Sequence, residues 1–204
     1  MATALVGCAS NDDITPNGND NAGKAGTAYA SFKINLPTTS GTRAADDGKP
    51  EFAEGDAKEY EVKNGTILIF DNSGNFVESA DLGTMNPWTK DTDANGVTTA
   101  AAVTVQLHHV KVGTSYKALV LLNNNSGTTT QKVALPTSSS DTYVKWSKEA
   151  NVTVDNYKST DGIFMANAPK YESTTENPTT LVDLNYVYAS REQAQANPAT
   201  VVYV

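Results

Sequence analysis

Apolar and polar residues alternate without a break over residues 27–36, TAYASFKINL. Ala28, Ala30, Phe32, Ile34 and Leu36 fall on one face, and Tyr29, Ser31, Lys33 and Asn35 on the other. A period of two with one apolar face predicts a half-buried β-strand. At about 3.3 Å per residue such a strand reaches roughly 33 Å, enough to cross a domain. Pro37 ends it, because proline donates no ladder hydrogen bond. The run that follows, TTSGTRAADDG, is small, polar and unpatterned, and it contains Arg43 followed by Ala44. It predicts an exposed segment open to proteases. Burial of Phe32, Ile34 and Leu36 is worth roughly 1.5–3 kcal/mol each, a sum comparable with the ~5–15 kcal/mol that holds a whole domain together. Loss of this strand would open a groove that another strand would have to fill, which is the physics of β-augmentation.

The rest of the chain repeats the β pattern. Residues 66–70, TILIF, form a continuous apolar run after Asn64-Gly65, a turn signal, and predict a central strand buried on both faces. Residues 71–75 turn, and 76–79 return as the hairpin partner. Residues 81–102 read as a long loop region. From 101 to 112 alternation resumes, with Val103, Val105 and Leu107 on one face and Thr104, Gln106 and His108 on the other. After a turn at 113–115, YKALVLL (116–122) is the second strongly apolar strand, followed by a soft polar loop at 123–132. Asp141 is placed to cap a short helix. A short strand is predicted at 151–155, residues 163–167 (IFMAN) follow a turn at Asp161-Gly162, a polar loop runs over 171–180, and a weakly alternating strand over 181–188. Ser190 with Gln193 three residues on forms a capping box for a second short helix ending at Asn197-Pro198. Residues 200–204 are again strand-like. Strands at this spacing with turns between them predict an all-β sandwich.

Length and charge narrow the function. The 204 residues suit one or two domains. A net charge of −8 argues against nucleic acid, whose phosphates demand a basic face. No run of 18 apolar residues is present, so no spanning helix is expected. The single cysteine, Cys8, excludes an internal disulfide. Its surroundings, LVGCAS, resemble the lipobox of bacterial lipoproteins, in which the cysteine is lipidated. Only seven residues precede it, fewer than the apolar stretch of a signal peptide needs, which suggests a truncated leader. Residues 11–26, NDDITPNGNDNAGKAG, are too polar to fold and read as a tether. Acidic residues this soon after a lipobox cysteine resemble the surface-export signals of Bacteroidetes lipoproteins. The final strand ends without a closing turn, and a further domain is expected beyond Val204.

Candidate chemistry is sparse. Asp91, Asp93, Asn95 and Gly96 match the first half of a calcium loop, but position twelve is Ala102, so the bidentate acid is missing and an exposed loop is the better reading. His108 and His109, on a strand, would point to opposite faces and could not chelate one metal. No nucleophile elbow or phosphate loop occurs, and nothing selects a pair of acids, so catalysis and cofactors are not expected. Trp88 and Trp146 could stack on sugars, although a core or rim position suits them better.

Taken together, the lipobox cysteine, the acidic tether, AYASFKINLP, TSGTRA, TILIF, KALVLLNN, GIFMANA and the closing ANPATVVYV resemble the major fimbrial subunits of Bacteroidales, the fimbrillins or type V pilins. The resemblance implies Greek-key, transthyretin-like β-sandwich domains with one or two short helices. It divides the chain into a leader and tether (1–25), a first strand and leash (26–43) and the N-terminal sandwich (44–204) into which the first strand packs, with the C-terminal domain absent. It further implies export as an outer-membrane lipoprotein through Cys8 and cleavage after Arg43 by an arginine-specific protease, with Ala44 as the new N-terminus. The strand bearing Ala28, Ala30, Phe32, Ile34 and Leu36 would then be replaced by one from the next pilin subunit. The rival reading is a non-polymerising surface lipoprotein that binds glycan or host protein.

Overall fold

The computed structural model describes residues 27–35, 62–82, 89–90, 98–126, 130–150, 162, 164–167 and 180–204. Cys8, Leu36, Arg43, Ala44, Trp88, the Asp91–Gly96 motif, and the predicted strand at 151–155 lie outside these residues, as does all but the last residue of the predicted loop at 171–180.

Two β-sheets face each other. The first has the order β11-β1-β5-β4, built from Thr200–Tyr203, Ala28–Asn35, Thr98–Leu107 and Thr89–Lys90. The second has the order β10-β6-β2-β3, built from Val182–Leu184, Tyr116–Leu122, Gly65–Phe70 and Phe76–Asp81, with β9 (Met165–Ala166) also on β6. A separate two-stranded ribbon pairs β7 (Asn125–Ser126) with β8 (Thr130–Gln131). The chain crosses between the main sheets from β1 to β2, β3 to β4, β5 to β6 and β10 to β11. Most neighbours within a sheet are therefore distant in sequence, as Greek-key sandwiches require. The molecule is an all-β sandwich with two short helices, α1 (Tyr143–Glu149) and α2 (Arg191–Ala196).

The core between the sheets joins Ala28, Ala30, Phe32 and Ile34 of β1 and Val105 and Leu107 of β5 to Ile67, Ile69, Ala118, Val120 and Leu122 of the other sheet. The second sheet is buried on its far face too. There Leu68, Phe70, Phe76, Leu119 and Leu121 are covered by Leu135, Tyr143 and Trp146. Phe70 meets Phe76 and Tyr143 edge-on, at centroid distances of 5.9 and 5.6 Å. Double burial explains why β2 and β6 read as unbroken apolar runs while β1 alternates.

Several elements depart from the sequence reading. Gly65 opens β2 opposite Leu122 and makes no hairpin, because Asn123 N–H reaches Asn64 O at 2.9 Å and carries the pairing past the strand end. The long β5 begins at Thr98, inside the expected loop. It ends at Leu107, so His108 and His109 sit in a bend and are both exposed. Thr142 caps α1, with its hydroxyl accepting from Lys145 N–H at 3.2 Å; the Asp141 carboxylate instead accepts from the N–H groups of Thr137 and Ser138. The polar stretch 123–132 is anchored: Asn123, Asn124 and Lys132 are buried, and Lys132 Nζ donates to Gly162 O at 2.7 Å. Between 181 and 188 only Val182–Leu184 is a strand, because the chain must leave the second sheet to reach β1 at Tyr188. Ser190 caps α2 as its spacing predicts, accepting from Gln193 N–H at 3.2 Å.

Candidate functional site

β1 occupies an interior slot of the first sheet. On one edge it runs antiparallel to β5 over its whole length, from Ala28 opposite Leu107 to Asn35 opposite Ala100. On the other it runs parallel to β11, with Phe32 opposite Thr200 and Asn35 opposite Tyr203. That second edge is extended at both ends. Tyr29 and Tyr188 exchange two backbone hydrogen bonds, and Val204 N–H donates to Asn35 O at 3.1 Å. Removing the strand would thus strip hydrogen-bond partners from both neighbours, a cost that buried backbone groups bear badly.

The side chains make the slot apolar on one side. Ala28, Ala30, Phe32 and Ile34 are each 0% exposed, and all join the core between the sheets. Their neighbours Tyr29, Ser31, Lys33 and Asn35 are half-buried or exposed on the outer face. There α2 lies against the strand. The Arg191 guanidinium stands 5.6 Å from the centre of the Tyr29 ring and donates to Thr104 O of β5 at 3.2 Å. One side chain so spans β1 and β5. Four of the five apolar residues predicted for the strand therefore converge in one core, and Leu36 lies beyond the described residues.

Sequence reasoning missed the polar groups that brace this frame. Glu78, on edge strand β3, is buried, and its carboxylate accepts from the backbone N–H groups of His108 and His109 at 2.8–3.1 Å, tying the second sheet to the end of β5. Asn167 fills the gap along β6 between β10 and β9. Its Oδ1 accepts from Val120 N–H at 2.7 Å while its Nδ2 donates to Ala118 O at 3.0 Å. A side-chain amide thereby replaces a strand residue in the ladder. Nothing local in the sequence marks these residues; the backbone groups they pair with just after β5 and on β6 lie thirty or more positions away.

Trp146 is committed to packing, with its indole N–H donating to Ala134 O at 2.8 Å beside Tyr143. Among the described residues no three His, Cys, Asp or Glu side chains come together in a metal-binding group, and no helix is long and apolar enough to cross a membrane.

No protein-family model and no curated protein matches the chain. Among solved structures it is similar to a fimbrial assembly protein from Parabacteroides distasonis ATCC 8503, at 15% sequence identity and a TM-score of 0.40, with 87% of this chain and 52% of that one covered. The chain spans about half the length of that protein.

Proposed function

We propose that this protein is a structural subunit of a surface fimbria, exported as a lipoprotein through Cys8 and polymerised by donor-strand exchange. Cleavage after Arg43 releases β1, and a strand of another subunit enters the slot between β5 and β11. The observation that carries this reading is the position of β1: an interior strand, paired on both edges, with four side chains wholly inside the core. In sequence it is joined to the remainder by the small, polar run containing Arg43. A strand so deeply placed is a poor candidate for a free terminal arm and a good plug for a groove that must stay covered until assembly.

The chain has two arginines, Arg43 and Arg191, so an arginine-specific protease has two possible sites. Arg191 opens α2 and is engaged with Tyr29 and Thr104. Treatment of the native protein should cut at Arg43 first and yield species that add strands, seen as an incorporated β1-like peptide or as oligomers by size. Arg43→Ala should abolish both. Cleavage at Arg43 that leaves a monomer unable to take up any strand would refute exchange.

A further inference from the structure

We propose that the protein carries a binding site for a neutral carbohydrate in the cleft walled by Tyr186, Tyr188, Gln193 and Asn197. The cleft measures about 410 Å³ and is completed by Val112 and Ala189. That volume lies in the range of small-molecule sites. It adjoins the slot of β1, because Tyr188 pairs with Tyr29 and α2 lies against the strand, but it requires neither cleavage nor polymerisation.

The local chain geometry builds a platform. Val187 is fully buried, so Tyr186 and Tyr188, one residue to either side, share the opposite face. Their ring centroids are 4.7 Å apart with a tilt of 50°. The segment is held firmly. Gly113 N–H donates to Val187 O at 2.9 Å, and Tyr188 exchanges two backbone bonds with Tyr29. The Tyr186 ring lies against the Gly113 turn, where a Cβ would stand 3.5 Å from its hydroxyl. Yet Tyr186 is 48% exposed, one of few large apolar side chains left in solvent among the described residues. A tyrosine held in place but uncovered offers a ligand an apolar face and a polar tip.

The polar lining sets the ligand class. The hydroxyls of Tyr186 and Tyr188 and the side-chain amide of Gln193 have no partner among the described residues. Asn197 Nδ2 donates to Gln193 O at 2.7 Å, which leaves Oδ1 as an acceptor. Uncharged donors and acceptors thus stand beside aromatic faces, and none of the six lining residues carries a charge. An ionic ligand would find no counter-charge, and a purely apolar one would leave the hydroxyls and amides unpaired. A neutral sugar, with hydroxyls at its rim and C–H groups on its faces, satisfies both kinds of wall.

Saturation-transfer NMR on the 204-residue chain tests this with methyl glycosides of glucose, galactose, mannose and N-acetylglucosamine, and with sialic acid as a charged probe. At least one neutral glycoside should receive saturation at its ring protons. Tyr186→Ala and Gln193→Ala should each weaken that binding about fivefold or more. Tyr203→Ser, which alters a more exposed tyrosine outside the cleft, should leave it unchanged. Tyr186→Phe keeps the ring and should lose only part of the affinity, which guards against a misfolded alanine variant. Failure of every neutral glycoside to bind, preference for sialic acid, or binding unaffected by Tyr186→Ala and Gln193→Ala would overturn the assignment.

Discussion

Tyr29 N–H donates to Tyr188 O, and Tyr188 N–H donates to Tyr29 O, each at 2.8 Å. This reciprocal pair is the point at which the chain coming from the second sheet takes hold of β1, before α2 crosses the outer face and β11 runs alongside the same strand. β1 is therefore clasped twice on one edge, antiparallel at Tyr29 and parallel from Phe32 onward. The first strand and residues 188–204 depend on each other for their pairing, although more than 150 positions separate them.

Packing along β1 predicts opposite sensitivities at small and large positions. Phe32→Ala removes a fully buried ring and should cost about 3–5 kcal/mol. Ala30→Leu adds atoms where the alanine is already wholly enclosed and should cost about 1–3 kcal/mol. Lys33→Ala, on the exposed side, should change stability by less than about 0.5 kcal/mol. Urea unfolding of the three variants gives the comparison.

Asn167→Leu leaves Val120 N–H, Ala118 O and Thr180 O without the amide that pairs them. An unsatisfied buried group costs about 1–3 kcal/mol, so a loss at or above that range is expected. Asn167→Asp keeps an acceptor for Val120 but has no donor for the two carbonyls, and should be no milder. Equilibrium unfolding measures both. Hydrogen exchange should show faster opening at Val120 in each variant.

Acid should weaken the β2–β3 hairpin. Burial opposes ionisation of Asp71, but hydrogen bonds from the Asn75 side chain and from the N–H groups of Asn75 and Ser73 outweigh it and hold the carboxyl below its ordinary value of 3.8. A depressed folded-state value stabilises the protein above the unfolded value and is lost as pH falls through the folded one. The stability advantage of the native protein over Asp71→Asn should therefore be flat above about pH 5 and shrink as pH drops below about 4. Urea midpoints of both proteins from pH 2.5 to 6 check the sign, on the order of the range over which carboxylates titrate.

Glu78→Gln should separate the sheets at one edge. Both carboxylate oxygens accept backbone N–H groups, and an amide retains only one acceptor. A loss of about 1–3 kcal/mol is expected, with amide exchange accelerated more at His108 and His109, in the bend after β5, than within β5 itself.

The strands were legible where one residue's neighbours decide its environment. Ala28 to Ile34 alternate because one face meets the core and the other meets water. TILIF and YKALVLL run unbroken because α1 and the residues before it cover the far side of their sheet. The α2 cap was legible too, since Ser190 and Gln193 are three residues apart. The supports of the frame were not. Asn167 carries no local mark of its role until β6 is seen to lack a strand partner at Val120. Glu78 reads as a surface acid until the bend at His108 folds over it. Tyr186 and Tyr188 look like the end of a strand, and only the departure of the chain toward β1 turns them outward. Each depends on a partner far away in sequence, and no local periodicity encodes such a contact.

The central claim is that β1, Ala28–Asn35, fills a slot the remaining chain cannot close by itself. It is tested most directly by preparing residues 44–204 alone and following thermal unfolding with and without a synthetic peptide of residues 27–36. The account predicts that the fragment alone lacks a cooperative transition or binds a hydrophobic dye, and that the peptide restores a cooperative melt near that of the intact protein. A fragment that melts cooperatively at the temperature of the intact protein, with no response to the peptide, would contradict it.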